Sequence, residues 1–187
     1  MKPTTPKLRA RKKAHACSGT EVSKHLKSGL PLFYLKAGEL IFSRDAALVS
    51  TVLGSCLSLI IYSNEPRLWS ICHVLLPTGK LEEGFKYVDS TFDYMVRTVE
   101  EYGIRLSSCE VKLFGGANSL MTSGSGSAKS VGEKNIALAL EKLKSYGVKP
   151  AAIDVGGPSG RKLFFNTRNG EVFVRKIGTA NYRPPTP

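Results

Sequence analysis

The sequence predicts an α+β domain, a mostly antiparallel two-sheet β-sandwich flanked by helices. Three observations lead there. Short β-type runs come in hairpin-like pairs, 56–62 with 68–76 and 161–166 with 171–177. Two stretches of helical period lie within 86–102 and 131–146, and each is followed by a further strand. Strands in hairpins with two helices packed outside suit two sheets face to face better than a doubly wound parallel sheet. A chain of 187 residues can bury one such core with material left over. The expected boundaries are a basic, unstructured tail over 1–30, one domain over 31–180 and a short tail over 181–187.

The elements follow in order. The runs "ELIF" (39–42) and "AALVSTVL" (46–53) read as strands, or a strand and its approach. "CLSLIIY" (56–62) is strongly apolar, "SNEPR" (63–67) combines the residues of a turn, and "LWSICHVLL" (68–76) returns until Pro77 stops it. In the first helix Val88, Phe92, Met95, Val96, Val99 and Tyr102 recur at three- and four-residue steps, and Gly103 is placed as its C-terminal cap. In the second, Ile136, Ala139, Leu140 and Leu143 form the apolar stripe, Ser130 is the N-cap and Gly147 the end. Strands "CEVKLF" (109–114) and "AAIDV" (151–155) each run into a Gly-Gly pair. This echo of helix, strand and Gly-Gly is what two helix–strand units built by the same physics would produce without duplication. "RKLFFN" (161–166) and "EVFVRKI" (171–177) flank "TRNG", whose Asn169-Gly170 is a hairpin signal.

Composition limits the function classes. The net charge is +12, and it is uneven: residues 1–30 carry eight Lys/Arg against one acid, a net +7. That segment has no aromatic residue to stack a base, so nucleic-acid binding is not expected as the main role. No apolar run approaches the roughly 20 residues of a membrane span. No secretory signal pattern is present, so no membrane insertion and a cytoplasmic location are expected. The four cysteines (Cys17, Cys56, Cys72, Cys109) are scattered without a C-x-x-C pair, and His15 and His25 sit in the tail. Reduced thiols and no metal site follow as expectations.

One constellation could carry chemistry. Cys56 follows Gly54-Ser55 at the mouth of an apolar strand, and His73 stands on the returning strand. A free thiol is largely protonated at neutral pH and needs a base in reach to become a nucleophile. The turn at Gly54 and Ser55 would aim backbone N–H groups at a developing oxyanion. The ordinary reading competes, since most buried cysteines are small hydrophobes and a strand histidine can simply bond a carbonyl. A third group to orient the imidazole would come from Ser50 or Thr51, which point to opposite faces of their strand. The glycine-rich stretch from Gly115 lacks the register of a phosphate loop, so Gly115, Gly116, Gly156 and Gly157 read as close backbone approach around the cleft. Asn118 is a candidate to hydrogen-bond a substrate amide, or a turn residue. Arg161-Lys162 reads as the solvated start of a strand.

Taken in order, "TVLGSCLSLIIY", "CHVLLP", "FGGAN", "VGEKNI" and "GGPSGRKLFFNTRNGEVFVRKI" resemble the CheD family of chemoreceptor glutamine deamidases, over about residues 38–177. The resemblance implies a β-sandwich flanked by helices, with Cys56 as nucleophile, His73 as its base and an upstream hydroxyl as third member. Counting back without gaps points to Ser50, with Thr51 the alternative and Thr the family's usual residue. It implies deamidation of receptor glutamines through a thioester without metal or organic cofactor, with glutamyl methyl ester hydrolysis open to the same machinery. The implied partners are chemoreceptor cytoplasmic domains and a CheC-type phosphatase. A binding module that docks on such partners with little catalysis is the alternative. Cys72 before the histidine, the segment after Asn118 and the basic tail depart from the family pattern.

Overall fold

Both faces of the strand at 57–63 are apolar, which calls for a layer of structure against each. The structure, a computed structural model, describes residues 15–16, 29–118 and 129–177. Its strands are β1 (His15–Ala16), β2 (Leu32–Tyr34), β3 (Leu40–Ser43), β4 (Leu48–Leu53), β5 (Leu57–Ser63), β6 (Leu68–Cys72), β7 (Glu110–Gly115), β8 (Ala152–Val155), β9 (Gly160–Asn166) and β10 (Val172–Ile177). Two helices, α1 (Val88–Glu101) and α2 (Val131–Ser145), separate β6 from β7 and β7 from β8.

The strands form two five-stranded sheets, ordered β1-β10-β9-β4-β2 and β3-β6-β5-β7-β8. Five of the eight pairings are antiparallel. The β1–β10, β2–β4 and β7–β8 pairings are parallel. The fold class is thus the α+β two-sheet arrangement that the hairpins predicted, with three parallel pairings that they did not. Alternation along β5 divides its side chains between two cores. Ile60 and Tyr62 join Val49, Leu53, Trp69, Ile71, Leu163 and Phe165 between the sheets. Leu57, Leu59 and Ile61 face the other way and pack with Phe92, Met95 and Val99 of α1 and Ala139 and Leu143 of α2. The order of layers is helices, second sheet, first sheet.

Several expectations change in detail. The returning strand ends at Cys72, and beyond it Val74 alone bridges back to Leu57. Tyr102 is not on the buried face of α1; it is 52% exposed and stacks on Phe42. The buried stripe of α2 is Gly132, Asn135, Ala139 and Leu143, whereas Leu140 is 41% exposed. Ser130 caps α2 in a reciprocal pair with Glu133, as an S-x-x-E pattern allows. The Asn169-Gly170 pair closes a loop over 167–170, in which Gly170 alone has a positive φ, +76°. Within the expected tail, His15–Ala16 pair with Phe173–Val174, because β10 would otherwise be an open edge. The rest of that tail before Gly29, the glycine- and serine-rich stretch after Asn118 and the tail over 181–187 lie outside the described residues.

Candidate active site

The chain changes sheets between Leu53 and Leu57. β4 ends in the first sheet, Gly54 and Ser55 bend, and β5 begins in the second. The Gly-Ser pair is therefore a crossover at one end of the sandwich, not a tight hairpin turn. Gly54 has no positive φ, and a side chain there would meet nothing within 4 Å. Cys56 leaves this crossover half-buried and packs its side chain against the inter-sheet core.

His73 arrives from β6. The reciprocal Leu57–Val74 bridge sets the register, with N–H to carbonyl distances of 3.0 and 2.9 Å. In that register Ser58 lies opposite His73, and Cys56 and His73 are diagonal neighbours on one face. Such diagonals span roughly 7–8 Å between backbones, within reach of longer side chains. His73 is held on its other side by β3's approach: its N–H donates to the Glu39 carbonyl at 2.9 Å, and its carbonyl accepts from Gly38 at 2.7 Å. No hydrogen bond joins Cys56 Sγ to the imidazole in this arrangement.

The third group comes from the facing sheet. Thr51 Oγ1 lies 2.8 Å from His73 Nδ1, and it donates to the Leu35 carbonyl at 2.8 Å. The single hydroxyl proton is thereby committed to Leu35, so the oxygen accepts from Nδ1–H. That assigns the tautomer from the hydrogen-bond network and leaves the Nε2 lone pair free. Strand alternation excludes Ser50 from this role. Val49, Thr51 and Leu53 face inward, while Ser50 shares the outer face with Leu48, which packs with Phe164 and Phe173. Gapless counting along the chain points to Ser50; the pleat of β4 brings Thr51, not Ser50, to the imidazole.

Burial tunes both groups. His73 is 5% exposed, and desolvation lowers its pKa, partly offset by the Leu35 carbonyl and the Glu39 charge. Desolvation raises the Cys56 thiol, partly offset by its backbone N–H. Both shifts disfavour the charged forms, thiolate at Cys56 and imidazolium at His73.

The glycine blocks shape the wall beside Cys56. Gly116 N–H donates to the Cys56 carbonyl at 2.7 Å, and a Cβ on Gly115 would come within 2.1 Å of that same oxygen. A continued β5–β7 ladder would return the bond, from Cys56 N–H to the Gly116 carbonyl. Positive φ at Gly115 (+117°) and Gly116 (+66°) turns that carbonyl toward Gly132 of α2 instead. Among the described residues no other backbone acceptor takes the Cys56 N–H, which stays beside Sγ. The space a side chain would need at Gly115 and Gly116 is filled by Cys56, Leu57 and Ile136, so both glycines serve chain-to-chain approach. Asn118 donates its backbone N–H to the Gly157 carbonyl at 2.8 Å, which ties the two Gly-Gly turns together.

Two residues at this end escaped the sequence reading. Arg161 is not solvated but fully buried, and its guanidinium bonds the carbonyls of Gly115 and Gly156 and the Asp154 carboxylate. Asn135 of α2 is also fully buried, and its amide reaches the carbonyls of Ser55 and Leu75. The signal that could have found Asn135 is its spacing from Gly132, Ala139 and Leu143, a polar residue on the buried stripe.

Known proteins resemble this chain over most of its length. A family model described as CheD chemotactic sensory transduction matches residues 75–176. A probable chemoreceptor glutamine deamidase CheD 2 of Geobacter sulfurreducens is 42% identical over 148 residues, 79% of this chain and 91% of that protein. A probable chemoreceptor glutamine deamidase CheD of Maridesulfovibrio salexigens is 36% identical over 154 residues, 77% of this chain and 91% of that protein. The chemoreceptor glutamine deamidase CheD of Thermotoga maritima is 28% identical over 140 residues, 74% of this chain and 87% of that protein. Among solved structures, Neisseria meningitidis protein NMB0706 superimposes at a TM-score of 0.40 with 14% identity, over 85% of this chain and 80% of that one, too slight a likeness to bear on function.

Proposed function

The chain belongs to the CheD family, and on that premise we propose that it deamidates glutamine side chains of chemoreceptor cytoplasmic domains, with Cys56 as nucleophile and His73 as general base and acid. The observation that carries this reading is the Thr51–His73–Cys56 arrangement, with Nδ1 of the imidazole engaged by Thr51 and with Cys56 and His73 diagonal neighbours on one face.

The steps follow from the two neutral groups. A glutamine carbonyl enters beside Cys56, and the sulfur attacks its carbon as His73 Nε2 takes the thiol proton. The C–N bond then breaks, ammonia leaves with that proton, and a thioester joins glutamyl carbon to sulfur. Water attacks the thioester, giving its proton to His73 and then to the departing sulfur, and glutamate is released. Atoms balance as one water consumed and one ammonia released per glutamine. The uncommitted Cys56 N–H is the candidate donor to the oxyanion in both halves. Base hydrogen bonds of this kind often tighten only with substrate in place, which accommodates a thiol and imidazole not yet bonded. General acid–base help contributes roughly 10²–10⁴-fold and one oxyanion donor roughly 10²–10³-fold.

Incubation with a chemoreceptor cytoplasmic domain, followed by intact mass and peptide mapping, tests this. The chain should add about one mass unit per converted glutamine through the acyl-enzyme route, and Cys56→Ala should not. Conversion by Cys56→Ala at the wild-type rate would sink the nucleophile assignment. Binding of the receptor domain with no mass change in either protein would favour a docking module.

A further inference from the structure

Asn135 does something in this fold that packing does not require. It is fully buried on α2, and its Nδ2 donates to two carbonyls, Ser55 at 3.1 Å and Leu75 at 2.9 Å. Its Oδ1 is buried without a hydrogen-bond partner among the described residues. The two carbonyl partners fix which end of the amide is which, since a flipped side chain would set oxygen against oxygen twice.

The two carbonyls belong to the two segments that deliver the reacting groups. Ser55 precedes Cys56, and Leu75 lies two residues beyond His73. At this point the β5–β6 ladder opens. After the Leu57–Val74 bridge, the next hydrogen-bonded pair of a continued ladder would be Ser55 with Leu76. Instead Leu76 N–H donates to the Lys86 carbonyl at 3.0 Å, and the Ser55 carbonyl goes to Asn135. The amide thus stands where the ladder parts and spans the gap. A trans peptide also points its N–H opposite to its carbonyl. Holding the Ser55 carbonyl toward α2 therefore aims the Cys56 N–H away from α2.

We propose that Asn135 is a positioning residue for the deamidation: its amide clamps the Cys56 crossover to the His73 segment and aims the Cys56 N–H for the oxyanion. This rests on the Cys–His reading above. Only a primary amide of this length presents two N–H groups to two diverging carbonyls. A carboxylate of the same size presents none, and an apolar isostere presents none.

The test compares Asn135→Asp and Asn135→Leu with Leu143→Ala, which loosens the packing of the same helix without touching the clamp. Steady-state ammonia release from a chemoreceptor cytoplasmic domain gives kcat and KM. The pH dependence of Cys56 alkylation by iodoacetamide, which needs no receptor, gives the coupling of thiol to imidazole. Folded Asn135→Asp should lose kcat by about 10–1,000-fold, as loss of an oriented donor does. Its KM should stay within about threefold and its alkylation pH profile should be displaced, while Leu143→Ala keeps kcat within about twofold. Asn135→Leu should match Asn135→Asp, so a folding failure in one leaves the other to decide. The proposal is overturned if either folded Asn135 variant keeps kcat within twofold with an unchanged alkylation profile. It is equally overturned if Leu143→Ala loses as much kcat as they do. A wild-type chain that releases no ammonia, with an alkylation profile still displaced in Asn135→Asp, would refute the substrate reading and leave the clamp standing.

Discussion

Replacing Thr51 with Val removes one oxygen and two hydrogen bonds from the buried core of the site. The Nδ1–H of His73 loses its acceptor and the Leu35 carbonyl loses its donor, each at 2.8 Å. Leu35 is fully buried and His73 nearly so, and water has little access to replace either bond. Leaving a buried polar group unsatisfied costs about 1–3 kcal/mol, so with two such groups the fold should lose roughly 2–6 kcal/mol. For a chain of this size that corresponds to a fall in Tm of roughly 4–24 °C. The rate effect is separate. Without Thr51 the hydroxyl no longer holds the proton on Nδ1, leaving only the Leu35 carbonyl near the ring, and about 1.4–2.7 kcal/mol of tautomer preference and ring orientation is forfeited, some 10–100-fold in kcat/KM. The assay is ammonia release from a chemoreceptor cytoplasmic domain, below the lowered Tm, with ¹⁵N NMR of the His73 ring to read the tautomer. Thr51→Ser keeps the hydroxyl and should recover most of the rate, and Ser50→Ala, on the outer face, should stay within about twofold. Folded Thr51→Val with wild-type kcat/KM and an unchanged Nδ1–H signal would refute the orienting role. Equal losses in Thr51→Val and Thr51→Ser would do the same.

Three further outcomes follow from the same geometry. Because burial lowers the His73 pKa, the acid limb of kcat/KM should fall below the ordinary histidine value, and because burial raises the Cys56 thiol, the alkaline limb should lie above the ordinary thiol value. A pH–rate profile with its acid limb at pH 7 or above would contradict a neutral resting pair. The linked stability has a definite sign: the unfolded chain binds a proton at His73 first, so this contribution is present above the ordinary histidine pKa and is lost as pH falls through the folded one. Gly115→Ala should destabilise by about 2–5 kcal/mol, since alanine at φ +117° is strained and its Cβ would sit 2.1 Å from the Cys56 carbonyl. Thermal unfolding should show that loss together with reduced deamidation, and a variant as stable as the parent would mean that β7 can retreat from Cys56.

The helices and the hairpins were legible because period and punctuation agree there. Val88, Phe92, Met95, Val96 and Val99 mark α1 by their spacing alone, and β5 and β6 pair where the turn at 63–67 requires. That register puts Cys56 and His73 on one face. The choice between Ser50 and Thr51 was not legible, because β4 is apolar on both sides and its alternation does not say which side is inside. Nor was the change of sheet at Gly54-Ser55, since a bend reads the same whether it joins paired strands or separate sheets. β2 escaped because its Leu32, Phe33 and Tyr34 are all exposed, so no pattern of burial marks it. Asn135 and Arg161 were hidden by their polarity. Sequence patterns assign amides and guanidinium groups to water, and only the positions of the carbonyls they serve reveal why they are inside.

The proposed base and the hydroxyl beside it hang from different layers, His73 from one sheet and Thr51 from the other, with 21 residues of chain between them. The distance that sets the proton's address is therefore the gap of the sandwich itself. A slip of one layer over the other by about an ångström would silence the imidazole while every ladder stayed intact, so such a machine would stop well before it melts.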